Sequence, residues 1–483
     1  MIRRELHAAR GGLSIQDLAR VMNDEQLNAF TRAELLCTAL PTPLKELARA
    51  HYRSQILFID KNGRSQATNQ ITRELERLRS LGLERSIFEA LAVLPPYSLG
   101  IEFSFTLFRP YLSRDDDAFY IIDNPVRKEK VFKVPYVAPI SWKGSLRTAA
   151  TRDLIIEMNE MIPDPVPEAG EELDRLYEQL WSRRAQRVLL FGNEKEANED
   201  AINDWLAGQL FSEKLDDPDK NRSKRLQISF DKYLKDKGYR TERIKGRQGR
   251  LFFFPTYFDQ IGLEVINPHD RKRGVGTNPI LFECVPRGAK GCFSLLYIPF
   301  DYPGLDLGTC SSVTPDQSAL IAQIQADLPV ITRVIQALFT VYGFGAKTSS
   351  GYGTVEDQLT EPGRLVLKAR LPELAEKTLS VPEIEPFLTE PGSLEDFITP
   401  EGNFRSEEDY SLVLQARGQQ YTRKKKQLYR KAKHGWESGG QTTYRRYQLA
   451  RTSEHTVLFF SSLTELPQVA QRLAEVLENG GAA

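Results

Sequence analysis

Sulfur, histidine and net charge are all scarce in this 483-residue chain, which has four cysteines, four methionines, five histidines and 65 Lys or Arg balanced by 65 Asp or Glu. Cys37, Cys284, Cys292 and Cys310 show neither CxxC spacing nor a paired histidine motif. That argues against a zinc site or a disulfide frame and leaves reduced core thiols. A net charge of zero removes bulk electrostatics as a basis for nucleic-acid binding, so such a role needs local basic patches. No apolar run reaches the roughly eighteen residues of a membrane span. The N-terminus, Met1-Ile2-Arg3-Arg4-Glu5-Leu6, turns polar before a signal-peptide core forms, so a cytoplasmic protein is expected. What is present, 41% hydrophobic and 27% charged residues, is the profile of a soluble globular chain. At about 100–200 residues per domain, the length predicts two to three domains or one elaborated domain.

Residues 13–95 carry a helical pattern. Ser14 caps a run with Ile15, Leu18 and Met22 on one face, and Ile71, Leu75, Leu78 and Leu81 recur at the same period, with Pro41, Pro43 and Pro95-Pro96 as breaks. At Leu99 the period shortens to two, with Ile101, Phe103, Phe105 and Leu107 alternating with Glu102, Ser104 and Thr106, which predicts a strand with one buried face. The polar loop Arg114-Asp115-Asp116-Asp117 follows, then Ile122-Asp123-Asn124-Pro125-Val126-Arg127. Clustered carboxylates bind a divalent metal or polarise a nucleophile. An Asp triplet serves equally well as a turn.

The densest motif is Ser141-Trp142-Lys143-Gly144-Ser145-Leu146-Arg147. A strand-like run, Val131 to Val137, leads in, and a helical pattern from Leu146 to Met158 leads out. The spacing predicts a strand-to-helix turn, which aims backbone N–H groups and the positive end of a helix dipole at a ligand, usually phosphate. Lys143 and Arg147, four apart, add two cations on the same face. Residues 160–248 read as a helical insertion on the surface, with helical patterns at Leu173–Val188 and Ala197–Leu215 and a charged, breaker-rich stretch from Asp216 to Arg225. A basic run from Lys232 to Arg250 closes it; Arg240, Arg243, Lys245, Arg247 and Arg250 either follow a phosphate backbone or form a solvated face.

Strands are predicted at Leu251–Phe254, Gly262–Ile266, Pro279–Val285 and Cys292–Ile298, with Asn267-Pro268-His269 after the second. His269 is first a structural hydrogen-bonding residue and second a catalyst. A long helix from about Asp316 to Tyr342 ends in Gly343-Phe344-Gly345-Ala346-Lys347-Thr348-Ser349-Ser350-Gly351-Tyr352-Gly353. Lys347-Thr348 looks like the tail of a P-loop, but Ala346 and Val341 stand where that motif needs glycine, and the loop runs from helix to strand. ATP and GTP binding are therefore excluded. Four glycines let backbone approach a ligand closely, and Lys347, Thr348, Ser349 and Ser350 supply a cation and hydroxyls, chemistry that fits a polynucleotide backbone. From Glu373 to Asp409 stand eleven acids and two bases, a linker composition; from Arg423 to Arg451 stand ten Lys or Arg interleaved with Tyr429, Trp436, Tyr444 and Tyr447. That tail is either a nucleic-acid arm, with cations for phosphate and rings for bases, or a partner for the acidic segment.

Taken in order, the Asp-Asn-Pro-Val run, the Ser-x-Lys-Gly-x-x-Arg motif, Val265-Ile266-Asn267-Pro268-His269 and the glycine loop after a long helix resemble the RAMP superfamily of CRISPR-associated proteins. The resemblance is specifically to the backbone subunits (the "Cas seven" group) of type III RNA-guided effector complexes, over residues 99–160 and 249–356. It implies an α+β fold with a ferredoxin-like (RRM-type) core and antiparallel sheet. The domains would be a helical N-terminal extension (1–97), a core (98–371, with 160–248 inserted) and an acidic linker with a basic C-terminal region (372–483). It also implies a subunit that binds guide RNA and cleaves complementary target RNA in antiviral defence, as a metal-dependent endoribonuclease using a divalent metal such as magnesium and no nucleotide cofactor. The catalytic position matches Asp123. RNA-binding positions match Ser141, Lys143, Arg147, Gly345, Lys347, Thr348, Ser349, Gly351 and Gly353, with Arg127 and His269 behind them. The implied partners are guide RNA, target RNA and the other RAMP, large and small subunits, with no membrane. Where the family shows Pro-Gly-Ser-Ser, this chain has Ala138-Pro139-Ile140-Ser141 and then Trp142. The Val265–His269 segment and the glycine loop look more like an end-capping, non-cleaving member. Two alternatives therefore stand: a structural end cap, and a stand-alone metal-dependent nuclease built on Asp115–Asp117 and His269.

Overall fold

Leu99, Ile101, Phe103 and Phe105 are buried and Ser104 is exposed, so the period-two pattern folds as a one-sided strand. The computed structural model describes residues 30, 49–50, 52–57, 65–83, 87–91, 93–113, 122, 124–193, 199–211, 219–239, 247–270, 275–276, 279–299, 317–371, 374, 395–399, 403–440 and 455–480. In chain order the main elements are helices α1 (Gln66–Ser80) and α2 (Phe88–Leu91), strands β1 (Leu99–Thr106) and β2 (Tyr136–Val137), and helix α3 (Pro139–Met161). Helices α4 (Glu171–Phe191), α5 (Glu199–Leu210) and α6 (Asp219–Asp236) follow. Then come strands β3 (Leu251–Phe253), β4 (Thr256–Tyr257), β5 (Gly262–Ile266), β6 (Ile280–Cys284) and β7 (Lys290–Tyr297). The chain continues with helix α7 (Gln317–Ala337), strand β8 (Gln358–Leu367), helices α8 (Glu407–Ala416) and α9 (Arg423–Gly435), strand β9 (Thr456–Ser462) and helix α10 (Leu466–Gly480). Two compact units result, Met1–Leu365 with Phe459–Glu475, and Val366–Leu458 with Val476–Ala483.

The main sheet runs β9-β8-β1-β7-β3. β1 pairs antiparallel with β7, Phe103 opposite Phe293, and β7 pairs antiparallel with β3. Apart from the added edge strand β9, the β1-α3-β3-β7-α7-β8 succession places its strands in the order fourth, first, third, second. That is the βαββαβ arrangement of a ferredoxin-like core. The fold is α+β.

One sheet face carries an aromatic core. Trp142 meets Phe293 at 5.1 Å and 82°, and Phe105 meets Phe339 at 5.2 Å and 67°, the edge-on geometry that ring quadrupoles favour. Trp142 is fully buried, so its indole N–H needs a partner. It donates to Thr256 Oγ1 at 3.0 Å, and the Thr256 hydroxyl donates to the Cys292 carbonyl at 2.7 Å. At its Gly100 end the opposite face is covered by the N-terminal helices of the same chain. Ser65 caps α1 by accepting from the Thr68 N–H at 3.0 Å, and Ala67, Ile71, Leu75 and Leu78 are its buried apolar residues. A Cβ on Gly100 would meet Phe88, Ile87 and Leu91 at 3.1–3.3 Å. A cleft of about 400 Å³ separates α1, at Thr72, Glu76 and Arg79, from Ser104 and Thr106 on the polar side of β1.

The inserted helices share a core with α3. Leu154 and Met158 pack with Leu176, Leu180, Trp181, Leu206 and Phe230. Ion pairs fasten the same junction: Arg187 reaches Asp153 at 2.9 Å and Glu157 at 2.8 Å, and Arg333 reaches Asp153 at 2.7 Å. Deeper still, the Asp327 carboxylate accepts from Arg250 at 2.6 Å, Tyr297 at 2.9 Å and Gln186 at 3.0 Å. α7 and the π-helical turn after it, Gln317–Tyr342, are long and apolar enough to cross a membrane by length and composition. Here Leu320, Ile324, Leu328, Ile331 and Ile335 are buried inside the protein.

Several local readings of the sequence need correction. The strand expected over Val131–Val137 is only Tyr136–Val137. The Glu129 carboxylate accepts from the Val131 and Phe132 N–H groups at 2.8 and 2.7 Å, and Lys133 takes φ 58°, so a tight turn displaces the strand. Ser141–Arg147 is not a turn. Pro139, whose fixed φ suits a first helical position, starts α3 there, and the motif forms its opening turns. Asp216–Arg225 is not all breaker, since α6 begins at Asp219. Arg250 is 4% exposed and paired with Asp327, so it contacts no phosphate backbone; Arg240, Arg243 and Lys245 lie outside the described residues. In the second unit Tyr429 and Trp436 are 5% and 7% exposed. They belong to an aromatic core with Phe397, Phe404 and Tyr410, which removes them as base-stacking rings, while Tyr444 and Tyr447 lie outside the described residues. Cys284 and Cys292 are free thiols; Cys37 and Cys310 fall outside the description.

Candidate nucleic-acid interface

The glycine loop is shaped by close backbone approaches. Gly345 has φ 90° and a Cβ on it would lie 2.4 Å from the Leu112 carbonyl; Gly353 has φ 75° and its Cβ would lie 2.0 Å from the Phe344 carbonyl. Neither position accepts a side chain without strain. The loop is pinned by Ala346 N–H donating to Leu112 O at 2.7 Å and Gly353 N–H to Pro110 O at 2.9 Å. Within the loop, Gly345, Lys347, Ser349 and Ser350 are exposed, Thr348 and Gly351 are half-buried, and Lys347 adopts the left-handed conformation at φ 59°. Around Gly351 there is open space.

This loop and the opening of α3 are brought together by their aromatic residues. Phe344 stacks obliquely on Trp142 at 4.6 Å, and Tyr111 lies between Phe344 and Phe258, 5.4 Å from each. With Trp142 turned inward, Ser141, Lys143 and Arg147 are half-buried on the flanks of the same helix and Gly144 borders open space. Ala138 caps α3 with no side-chain hydrogen bond, while its carbonyl accepts from the Ser141 and Trp142 N–H groups at 2.9 and 3.1 Å. Burial pushes the Tyr111 hydroxyl up to about 12, so it stays neutral at ordinary pH.

β6 connects this surface to the Asn124–Arg127 run. Asn124 O accepts from the Glu283 N–H at 2.9 Å, and Tyr111 exchanges two backbone hydrogen bonds with Val285 at 2.9 and 3.0 Å. Lys347 Nζ sits 5.3 Å from the centre of the Phe282 ring. Tyr352 donates to Glu264 on β5 at 3.0 Å, and desolvation followed by that hydrogen bond raises its hydroxyl pKa. Arg127 N–H donates to Ser113 Oγ at 2.8 Å, and its guanidinium lies 5.8 Å from the Tyr136 ring, which stacks on Tyr257 at 6.0 Å and 21°. Asp123 and Asp115–Asp117 lie outside the described residues. His269 is described through its backbone alone, paired with Gly276. Among the described residues no group of three or more His, Cys, Asp or Glu is arranged to hold a metal.

Two features escape sequence reasoning. Glu283 is 1% exposed, yet its carboxylate accepts from Tyr52 and Lys128 side chains and from the Val126 N–H at 3.1 Å. It thereby ties the N-terminal region to the segment that follows Asp123. A lone Glu inside Ile280-Leu281-Phe282-Glu283-Cys284 was a visible signal. The other is Phe108, 42% exposed, beside Arg109 at 6.0 Å and Arg287 at 5.1 Å. An exposed ring flanked by guanidinium groups is chemistry suited to an unpaired base. No spacing rule joins residues 108 and 287.

A profile of the RAMP superfamily matches residues 98–356, more than half of the chain. Comparison with curated proteins finds no match. Among 141 matching chains of solved structures, one from a type III-B Cmr-beta complex bound to cognate target RNA is 14% identical, with 72% of this chain and 98% of that one covered and a TM-score of 0.33. One from a CRISPR RNA-guided surveillance complex in a pre-nicking state is 9% identical, covering 56% and 78%, with a TM-score of 0.25. Cmr6 from Pyrococcus furiosus is 14% identical, covering 53% and 97%, with a TM-score of 0.24.

Proposed function

The chain belongs to the RAMP superfamily, and on that premise we propose that it is a guide-RNA-binding backbone subunit of a type III CRISPR interference complex in the cytoplasm, cleaving complementary target RNA through Asp123. The observation that carries the reading is the Trp142–Phe344 contact at 4.6 Å. That contact joins the start of α3 to the glycine loop in the interior, and Lys347, Ser349 and Ser350 of the loop are exposed, which supports a shared RNA surface. Cations, hydroxyls and close-approaching backbone N–H groups are what a phosphate chain requires. Phe108 beside Arg109 and Arg287 adds a ring for a base. The guide is bound along this surface; the target pairs with the guide, and the large, small and other RAMP subunits are its neighbours.

In this reading Asp123 acts on the ribose 2′-hydroxyl, accepting its proton as the oxygen attacks the adjacent phosphorus and the 5′-oxygen leaves. A divalent metal such as magnesium would be held by the Asp123 carboxylate, where it would supply positive charge to the phosphate. The test is cleavage of a guide-complementary RNA by the assembled complex with magnesium, comparing the native chain with Asp123→Ala. Loss of one cut at a fixed position with binding retained is the expected result. An unchanged set of cuts overturns cleavage by this chain, and cutting without guide or partner subunits favours the stand-alone nuclease instead. Lys143→Gln and Lys347→Gln should each lower the slope of log affinity against log salt by about 0.7–0.9.

A second reading, the non-cleaving end cap, is favoured by one observation. Ser141–Arg147 lies inside α3, where backbone N–H groups beyond the first turn are committed to the helix, so fewer remain for a guide. In that case Asp123→Ala leaves every cut in place while the lysine substitutions still weaken binding.

A further inference from the structure

α9 holds seven Lys or Arg and no acid in thirteen residues. Its inner face is used by the fold: Tyr429, Ala432 and Gly435 are buried, and the Tyr429 hydroxyl donates to the Arg405 carbonyl at 2.8 Å. Its outer face is centred on Arg423, Gln427, Arg430 and His434, at spacings of four, three and four, with Lys424 and Lys433 on the flanks. All six side chains are exposed. Lys426, between the faces, pairs with Glu407 on α8 at 2.9 Å. Like charges at helical spacing weaken a helix, and cations in its first turn oppose its dipole. A merely solvated face would gain nothing in return for that loss.

We propose that the outer face of α9 binds the phosphate backbone of single-stranded RNA without reading its sequence, as a second RNA surface outside residues 98–356. The fold discriminates among polyanions. The apolar side of α9 is already committed to the aromatic core, so no apolar face remains to enter a bilayer. The outer face presents no Phe, Tyr, Trp or aliphatic anchor of the kind a stable protein interface needs at its centre. Tyr429 and Trp436 are buried, so neither of these rings is free to stack on a base, and recognition falls chiefly to phosphate. At 1.5 Å per residue the strip is about 20 Å long and spans several phosphates. The choice of RNA rests on the guide-binding reading above; the phosphate chemistry stands without it.

The test uses the full chain, with a uridine homopolymer and a thymidine homopolymer as probes. The variant carries Arg423→Gln, Lys424→Gln, Arg430→Gln and Lys433→Gln, and its circular dichroism and melting curve are compared with native. Because the four side chains are exposed, the circular dichroism should be unchanged and the melting point unchanged or slightly higher, since like-charge repulsion along the helix is relieved. The salt slope for the uridine polymer should fall by roughly 2–3, since each lost contact on a single strand counts for about 0.7, and affinity at moderate salt should fall at least tenfold. A parallel loss for the thymidine polymer supports recognition through phosphate. An unchanged slope in the folded variant overturns the proposal. So does binding of polyglutamate or phosphatidylserine vesicles that the variant abolishes while uridine binding stays intact. Lys143→Gln with Lys347→Gln separates the two ideas. If that pair leaves the slope unchanged and the α9 variant lowers it, the guide-binding surface fails and the α9 surface stands; the converse result does the opposite.

Discussion

The two units handle charge in opposite ways. In the first, Arg250, Asp327, Arg187 and Glu283 are buried and each is matched to a named partner. In the second, the interior is stacked rings, with Phe397 on Tyr410 at 4.5 Å and Tyr410 on Tyr429 at 5.6 Å, and five of the seven cations of α9 are exposed. Basic residues that look alike in the sequence therefore do different work. A buried Arg fixes how helices meet, and an exposed Lys faces solvent. Burial of the neighbours, more than the count of charges, decides which.

The contrast is broken most directly at Asp327. Asp327→Ala leaves Arg250 buried without its carboxylate and should cost about 3–5 kcal/mol, read as a lower denaturant midpoint; an unchanged midpoint would show that the buried network is dispensable. In the second unit the matching change is to a ring. Tyr410→Ala should cost about 3 kcal/mol through the cavity it leaves, with hydrogen exchange accelerating over residues 395–440. Gly345→Ala should cost about 1–3 kcal/mol, because φ 90° and the Leu112 carbonyl leave no room for a Cβ. By contrast, Lys424→Ala on α9 should stay within about 0.5 kcal/mol of native, a difference from Asp327 visible in one melting series.

A pH titration sharpens the same point for an uncharged buried group. The Tyr111 hydroxyl is raised to about 12 by burial. Its neutral form contributes stability that is complete below its unfolded value near 10 and is lost as pH rises through about 12. Stability should fall across that window, and Tyr111→Phe should flatten the fall. Burial likewise pushes the Cys284 thiol up, so alkylation at mildly alkaline pH should reach it only after unfolding.

Much of this was readable beforehand where one period dominates. The alternation from Leu99, the apolar stripe from Leu320 to Leu338 and the final strand and helix all follow from spacing, since one face must be buried. The glycine loop was legible as a place of close backbone approach, and Gly345 and Gly353 show why. What escaped depends on contacts distant in sequence. Nothing near Glu129 announces that its carboxylate will hold a turn and end a strand early, and nothing near Arg250 points to Asp327, 77 positions on. Tyr429 and Trp436 misled for a related reason. Rings among lysines suit a nucleic acid and an amphipathic helix equally, and the structure buries them.

The chain leaves the main sheet at the end of β8 and returns to it at the start of β9, neighbouring strands in that sheet. The Thr456 N–H donates to the Ala369 carbonyl at 2.9 Å, so the outgoing and incoming chains run side by side. A segment with its two ends this close behaves as a cassette. Replacing it by a short hairpin turn should leave the pairing of β8 with β9 intact. Evolution can then add or exchange such a piece in one recombination step, without rebuilding the fold that carries it.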